Sequence, residues 1–230
     1  MRHLSGLSTT FFLLIAAIHL QAQPALSAVD QTYGLDPLLH NGSFYSYFIS
    51  SDTEGTPYFS GPDFVTGSVV LRGITYQNLA LKYDVVNQVL VYQYQNPTGG
   101  VQRLVLSDAW MESFNLGKTH FELYAFQDTV KHIYQVIGQA SSRILYAWSK
   151  QRTLDNRMGS SHFIFTSLKN KMYLLSGGVI REFKNNKGLT LLFDPAKQSM
   201  IKKYLVQHRI NVRKASDEVI NELITYCNSL

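Results

Sequence analysis

From Ser43 to Phe193 the chain alternates short apolar bursts with turn residues. Leu79, Leu81 and Tyr83 alternate with Ala80 and Lys82, the period-two pattern of a half-buried strand. GSVVLRGITY (67–76) holds two apolar bursts around Arg72-Gly73, which predicts a tight turn, and Asp84 to Gln88 reverse the chain into VLVYQY (89–94). Asn96-Pro97-Thr98-Gly99-Gly100 is the strongest turn signal, because Pro fixes φ and glycine permits positive φ. VQRLVL (101–106) follows it directly. Further strands are expected at FYSYF (44–48), THFELYAF (119–126), HIYQVIG (132–138), RILYAWSKQR (143–152), HFIFTSL (162–168), KMYLLSG (171–177) and VIREF (179–183). Lys169-Asn170 and Gly177-Gly178 read as turns.

This spacing predicts a mainly β fold, an antiparallel β-meander forming a curved sheet, half-barrel, barrel or sandwich. No amphipathic helices intervene to make parallel crossovers. The pattern changes at Asp194-Pro195, a good N-cap followed by a residue favoured at the first helical position. Met200, Ile201, Tyr204 and Leu205 recur on one helical face, His208 to Lys214 interrupt it, and Ser216 can cap a second helix with Asp217 and Glu218 at its positive end. Two short helices over 194–228 are therefore expected, packed against one edge or end of the sheet, which makes the C-terminus α+β.

The first residues have a different logic. Arg2 precedes a ten-residue apolar run, Phe11 to Leu20, broken only by His19, and small and polar residues follow. That is the plan of a secretory signal peptide, with cleavage expected after Ala22 or, failing that, Ala28. The run is too short to span a bilayer, which needs about 20 apolar residues. No cysteine follows it to accept a lipid, so the processed protein is expected to be exported and soluble, in the periplasm or outside the cell. The expected division is a signal peptide at 1–22, an extended segment at 23–42, the antiparallel β domain at 43–193 and the helical pair at 194–230.

Composition supports one sizeable core. Hydrophobic residues make up 45% of the chain, and 14 Tyr and 13 Phe favour strands over helices. The one cysteine, Cys227, has no intrachain partner and lies at helical spacing from Ile220, Leu223 and Ile224, which favours a buried apolar role over a reactive thiol. Charge is uneven. Residues 24–149 hold six Lys/Arg against ten Asp/Glu, whereas residues 150–214 hold fourteen against three. Such a skew can attract anionic headgroups, acidic glycans or an acidic protein, or serve only solubility. The candidate partner-binding residues are Lys202, Lys203, Arg213 and Lys214.

Chemical motifs are sparse. The histidines at 40, 120, 132, 162 and 208 show no helical metal spacing, and one cysteine makes a cysteine-type zinc site impossible. His132 and His162 each open a strand and read as structural. Gly159-Ser160-Ser161-His162 places a hydroxyl beside an imidazole but reads as a polar loop, since neighbours in sequence rarely converge as a catalytic pair. No catalytic, metal or cofactor site is assigned. Asp84, Asp108, Glu112 and Glu122 are the carboxylates from which an acid/base pair could be drawn, with Asp84 better read as a turn residue. Asn41-Gly42-Ser43 is a formal glycosylation sequon.

The Gly73–Asp84 run (GITYQNLALKYD), together with the basic ending marked by Phe193-Asp194 and Val212-Arg213-Lys214, resembles an uncharacterised family of exported Bacteroidota proteins. The likeness covers most of the chain beyond the leader. It implies export in a Gram-negative cell, and because that family has no assigned activity, no functional residue carries over. Three functions remain open. The first is non-enzymatic binding of an apolar or amphiphilic ligand, such as a lipid, by the curved sheet. The second is a structural or docking role in which the basic 150–214 surface meets an anionic envelope component or protein, so that neutralising Lys202, Lys203, Arg213 and Lys214 together abolishes binding. The third is a hydrolase with an unrecognised carboxylate pair. Nucleic acid is the least suitable partner, because export removes the chain from it and no recognition motif is present.

Overall fold

A computed structural model describes residues 35–47, 49–125, 130–156 and 162–230. The leader expected at 1–22 with both cleavage sites, most of the 23–42 segment, Phe48, Phe126 and Gly159-Ser160-Ser161 lie outside the described residues. The strands are β1 (Gly42–Phe44), β2 (Val65–Leu71), β3 (Ile74–Asp84), β4 (Val89–Gln95), β5 (Val101–Leu106), β6 (Met111–Leu116), β7 (Thr119–Ala125), β8 (Lys131–Ile137), β9 (Ser142–Ser149), β10 (Arg152–Asp155), β11 (His162–Phe165), β12 (Lys169–Ser176) and β13 (Val179–Phe183). Three helices follow, α1 (Asn186–Leu191), α2 (Pro195–Gln207) and α3 (Asp217–Ser229).

Eleven of these strands form one antiparallel sheet in the order β1-β5-β4-β3-β2-β6-β7-β8-β9-β12-β13, and β10 and β11 form a separate ribbon. The sheet is curved and open, with β1 and β13 at its edges. It is a meander with one reversal: the chain runs outward from β2 to β5, then returns to start β6 on the other flank of β2. That return forces curvature. Four inter-strand steps at about 4.8 Å make about 19 Å across a flat sheet. The link from Leu106 to Met111 reaches at most about 17 Å fully extended, and it is folded into a turn, with the Trp110 and Met111 N–H groups donating to the Ser107 carbonyl. Only a rolled sheet brings β5 beside β6.

Local chemistry sets the details. Arg72 and Gly73 both have positive φ (47° and 76°) between the paired Leu71 and Ile74, the two-residue hairpin that matches strand twist. At Gly67 the register of β2 shifts, and β6 comes so close that a Cβ there would lie 2.0 Å from the Asn115 carbonyl oxygen. Lys169-Asn170, expected as a turn, instead continues β12 and pairs with Ser149 and Trp148. With no Gly or Pro, that dipeptide is free to follow the ladder. The single run expected at 143–152 is divided between β9 and β10.

The interior of the rolled half is filled by its own side chains: Val69, Leu71, Leu81, Tyr83, Leu90, Phe114 and Phe121 are buried there. Phe114 and Phe121 stack at 4.7 Å, and Phe59 meets Tyr83, Phe121 and Trp148. The flatter half, β8, β9, β12 and β13, is apolar on both faces. Ile144, Tyr146, Met172 and Leu174 face the helices, while Leu145, Tyr173 and Leu175 pack with Tyr134, Val136 and Ile180 on the other side. This is why VIG, ILYAW and MYLLS read as continuous apolar runs.

The helices, expected against one edge or end of the sheet, lie at its β13 end and cover that face rather than the edge itself, because the alternation of β9 and β12 leaves a wide apolar face open. Ile220, Leu223, Ile224 and Cys227 of α3 seal it. Asp194 caps α2 by accepting from the Ala196 N–H at 2.9 Å, with Pro195 in the first turn, as the sequence predicts. The helix ends in a Schellman motif. Arg209 takes φ 51° and donates its N–H to the Val206 carbonyl, the Ile210 N–H donates to the Leu205 carbonyl, and the Leu205 and Ile210 side chains are both buried. The third helix, α1, lies inside the region expected to be all β; Asn185 caps it by accepting from the Gly188 N–H.

Candidate functional site

β13 stops at Phe183, so the first residues of β12 run on beyond it along an open edge. A cleft of about 820 Å³ opens there. Lys169 and Lys171 of β12, Lys184 after β13 and Arg213 from the α2–α3 connection line it, with Glu182 as the one carboxylate among the lining residues. Trp148, Leu168, Met172 and Phe183 supply apolar surface. The four cations are all exposed, whereas Met172 and Phe183 are buried. Strand alternation places Lys169 and Lys171 on one face of β12 and Asn170 and Met172 on the other.

Specific bonds build the walls. Asn186, at the start of α1, donates from Nδ2 to the Ile210 carbonyl at 2.6 Å and accepts the Val212 N–H at Oδ1 at 3.0 Å. These two bonds tie the α2–α3 connection to α1 and set Arg213 beside the cleft. Trp148 is fixed from two sides: its Nε1 donates to Gln135 Oε1 at 2.8 Å, and its carbonyl accepts from Gln88 Nε2 at 3.0 Å. Gln135 in turn donates to Asp217 at 2.6 Å, which ties β8 to the first turn of α3. Chemically, the cleft can pair an anionic group with ammonium and guanidinium donors, with half-buried Trp148 and Leu168 as its accessible apolar surface.

The residues singled out from the sequence are distributed differently. Arg213 lines this cleft, while Lys202 lines a separate groove between α1 and α2. Lys203 and Lys214 are exposed and line neither. Lys169, Lys171 and Lys184 are not among the residues the sequence singles out, because Lys169-Asn170 carries a turn signal and cations are dense throughout 150–214. The legible signal was the Lys-x-Lys spacing at the head of a strand, which puts both side chains on one face.

The carboxylates have separate partners. Asp84 is fully buried; it accepts from the Val86 and Asn87 N–H groups, from Asn87 Nδ2 and from the Tyr45 hydroxyl at 2.8 Å, which makes it the turn residue expected. Glu112 accepts the Gly73 N–H. Glu122 accepts two bonds from Arg143 Nη1 at 3.0 and 3.1 Å, one from the Tyr124 hydroxyl, and contacts His120 Nε2 at 3.1 Å. The His120 contact, with Tyr124 and Arg143 adding to it, outweighs burial and lowers the Glu122 carboxyl to about 2. Asp108 is exposed. His162 lies 3.2 Å from Glu54, and His132 is exposed at the start of β8. Asn41 is exposed just before β1.

Cys227 is buried among the α3 core residues, as its spacing predicts, and burial pushes its thiol up to about 12. Among the described residues no three His, Cys, Asp or Glu side chains form a metal-binding group, and no helix is long and apolar enough to cross a membrane. No protein family, no curated protein and no solved structure matches the chain.

Proposed function

We propose that this is an exported, non-enzymatic binding protein that takes an anionic ligand into the cleft at the open edge of β12. The observation that carries the reading is a cleft at the open edge of β12 lined by four cations and one carboxylate together with Trp148. The leader pattern and the resemblance to exported Bacteroidota proteins support its placement outside the cytoplasm. The wealth of Tyr and Phe, which suggested an apolar ligand inside the sheet, is accounted for by the rolled half packing on itself through Phe59, Tyr83, Phe114 and Phe121.

The reading is tested by titrating the protein with anilinonaphthalene sulfonate, an anion with an aromatic body, and following Trp148 emission in a Trp110→Phe background. Binding is expected to weaken as salt rises, because exposed charges are screened over about 10 Å at 0.1 M. Lys169→Glu/Lys171→Glu is expected to weaken it at least tenfold. Undiminished binding by that variant, with its fold intact by circular dichroism, refutes the cleft as the site.

A further inference from the structure

The helical cap carries a second feature that the cleft does not use. α1 and α2 diverge to leave a groove of about 490 Å³ lined by Lys187, Thr190, Leu191, Lys202, Leu205 and Val206, among others. Leu205 is buried at its base. Leu191 is 59% exposed and Val206 71%, so two large aliphatic side chains stand in solvent on either side of it. No carboxylate is among its lining residues.

The segment that carries this groove is one-sided in charge. Residues 184–214 hold eight Lys/Arg (184, 187, 197, 202, 203, 209, 213 and 214) and a single acid, Asp194. That acid is already engaged at the α2 N-terminus, accepting from the Ala196 N–H. Exposed aliphatics beside Lys187 and Lys202 suit a surface that is anionic at its face and apolar just beneath, since ammonium groups pair with phosphates while the aliphatics enter the acyl boundary. The cations also extend well beyond the groove, onto both ends of α2 and the α2–α3 connection. A short acidic peptide seated in the groove meets Lys187 and Lys202 alone, whereas an extended anionic surface also attracts the cations beyond the groove at longer range.

We infer that the α1–α2 face seats this protein on an anionic phospholipid bilayer, with Leu191 and Val206 entering the interface and Lys187 and Lys202 pairing with headgroup phosphates. The inference goes beyond the cleft reading and does not depend on it.

The experiment is co-sedimentation of the protein, in the processed form its cell produces, with phosphatidylglycerol/phosphatidylcholine vesicles and with phosphatidylcholine vesicles alone. Partitioning onto the anionic vesicles is expected to be at least tenfold stronger and to fall as salt is raised. Leu191→Ser/Val206→Ser and Lys187→Glu/Lys202→Glu each lower it at least fivefold. All four side chains are exposed, so these variants keep the fold. Lys169→Glu/Lys171→Glu, which disables the cleft, leaves partitioning within twofold. Equal partitioning onto both vesicle types, or wild-type partitioning by both groove variants, overturns the inference. So does its loss in the cleft variant alone, which moves lipid recognition to the cleft. Full competition by soluble glycerol phosphate likewise overturns it, because a headgroup pocket then suffices without a bilayer.

Discussion

Gln88, in the β3–β4 turn, donates from Nε2 to the carbonyl oxygen of Trp148 at the far end of β9, 3.0 Å away and 60 residues later in the chain. The same amide donates to the Val85 carbonyl and accepts the hydroxyl of buried Tyr83 at 2.8 Å. One side chain thus closes its own turn, satisfies a core hydroxyl and joins the rolled half to the strand bearing the cleft's tryptophan. Lys150 reinforces the same junction, donating to the carbonyls of Thr56 and Tyr58 at 2.8 and 2.7 Å.

Gln88→Ala removes all three bonds and strands the Tyr83 hydroxyl in the core. Leaving a buried donor unpaired costs about 1–3 kcal/mol, so the urea midpoint is expected to fall accordingly. Trp148 emission should shift red at denaturant concentrations where the wild-type is still folded. An unchanged midpoint removes Gln88 from the junction.

The Glu122 cluster predicts an acid-range dependence. Its carboxyl is lowered from the ordinary 4.5 to about 2 in the fold. A depressed carboxyl contributes stability that is fully present above its unfolded value and is lost as pH falls from about 4.5 toward 2. Wild-type stability should therefore decline across that window more steeply than that of Glu122→Gln. At pH 7 the variant is expected to be less stable by about 1.5–3 kcal/mol, the range for hydrogen bonds to a charged group. Thermal melts of both proteins between pH 2 and 7 supply the comparison, and parallel curves count against the assignment.

Gly138 links the β8–β9 turn to the helical cap. It has φ 97°, and a Cβ added there would lie 2.9 Å from Ile224 Cγ2 on α3. Gly138→Ala meets backbone strain and a core side chain together, each costing about 1–3 kcal/mol. The expected result is a clearly lowered melting temperature and faster amide exchange in α3 than in β2 to β5. Uniform exchange across the molecule indicates that α3 is not what yields.

The sequence by itself determined most of the local structure. Period-two alternation and turn chemistry marked the strands and hairpins, Asp194-Pro195 marked the start of α2, and the spacing of Cys227 placed it in the core. These follow from nearest-neighbour geometry, where each residue's preference is written in its own few neighbours. Only the tertiary structure decided the rest. The reversal that pairs β2 with β6, the continuation of β12 through Lys169-Asn170 and the docking of the helices on a face all depend on pairings between distant segments. Several registers satisfy the same local pattern, and packing selects among them. The cleft belongs to this second group: Lys169, Lys184 and Arg213 come together because β13 ends before it covers the first residues of β12 and Asn186 ties the α2–α3 connection beside it. Charge density along the chain shows where cations are plentiful, but which of them share a cavity is set by the fold around them.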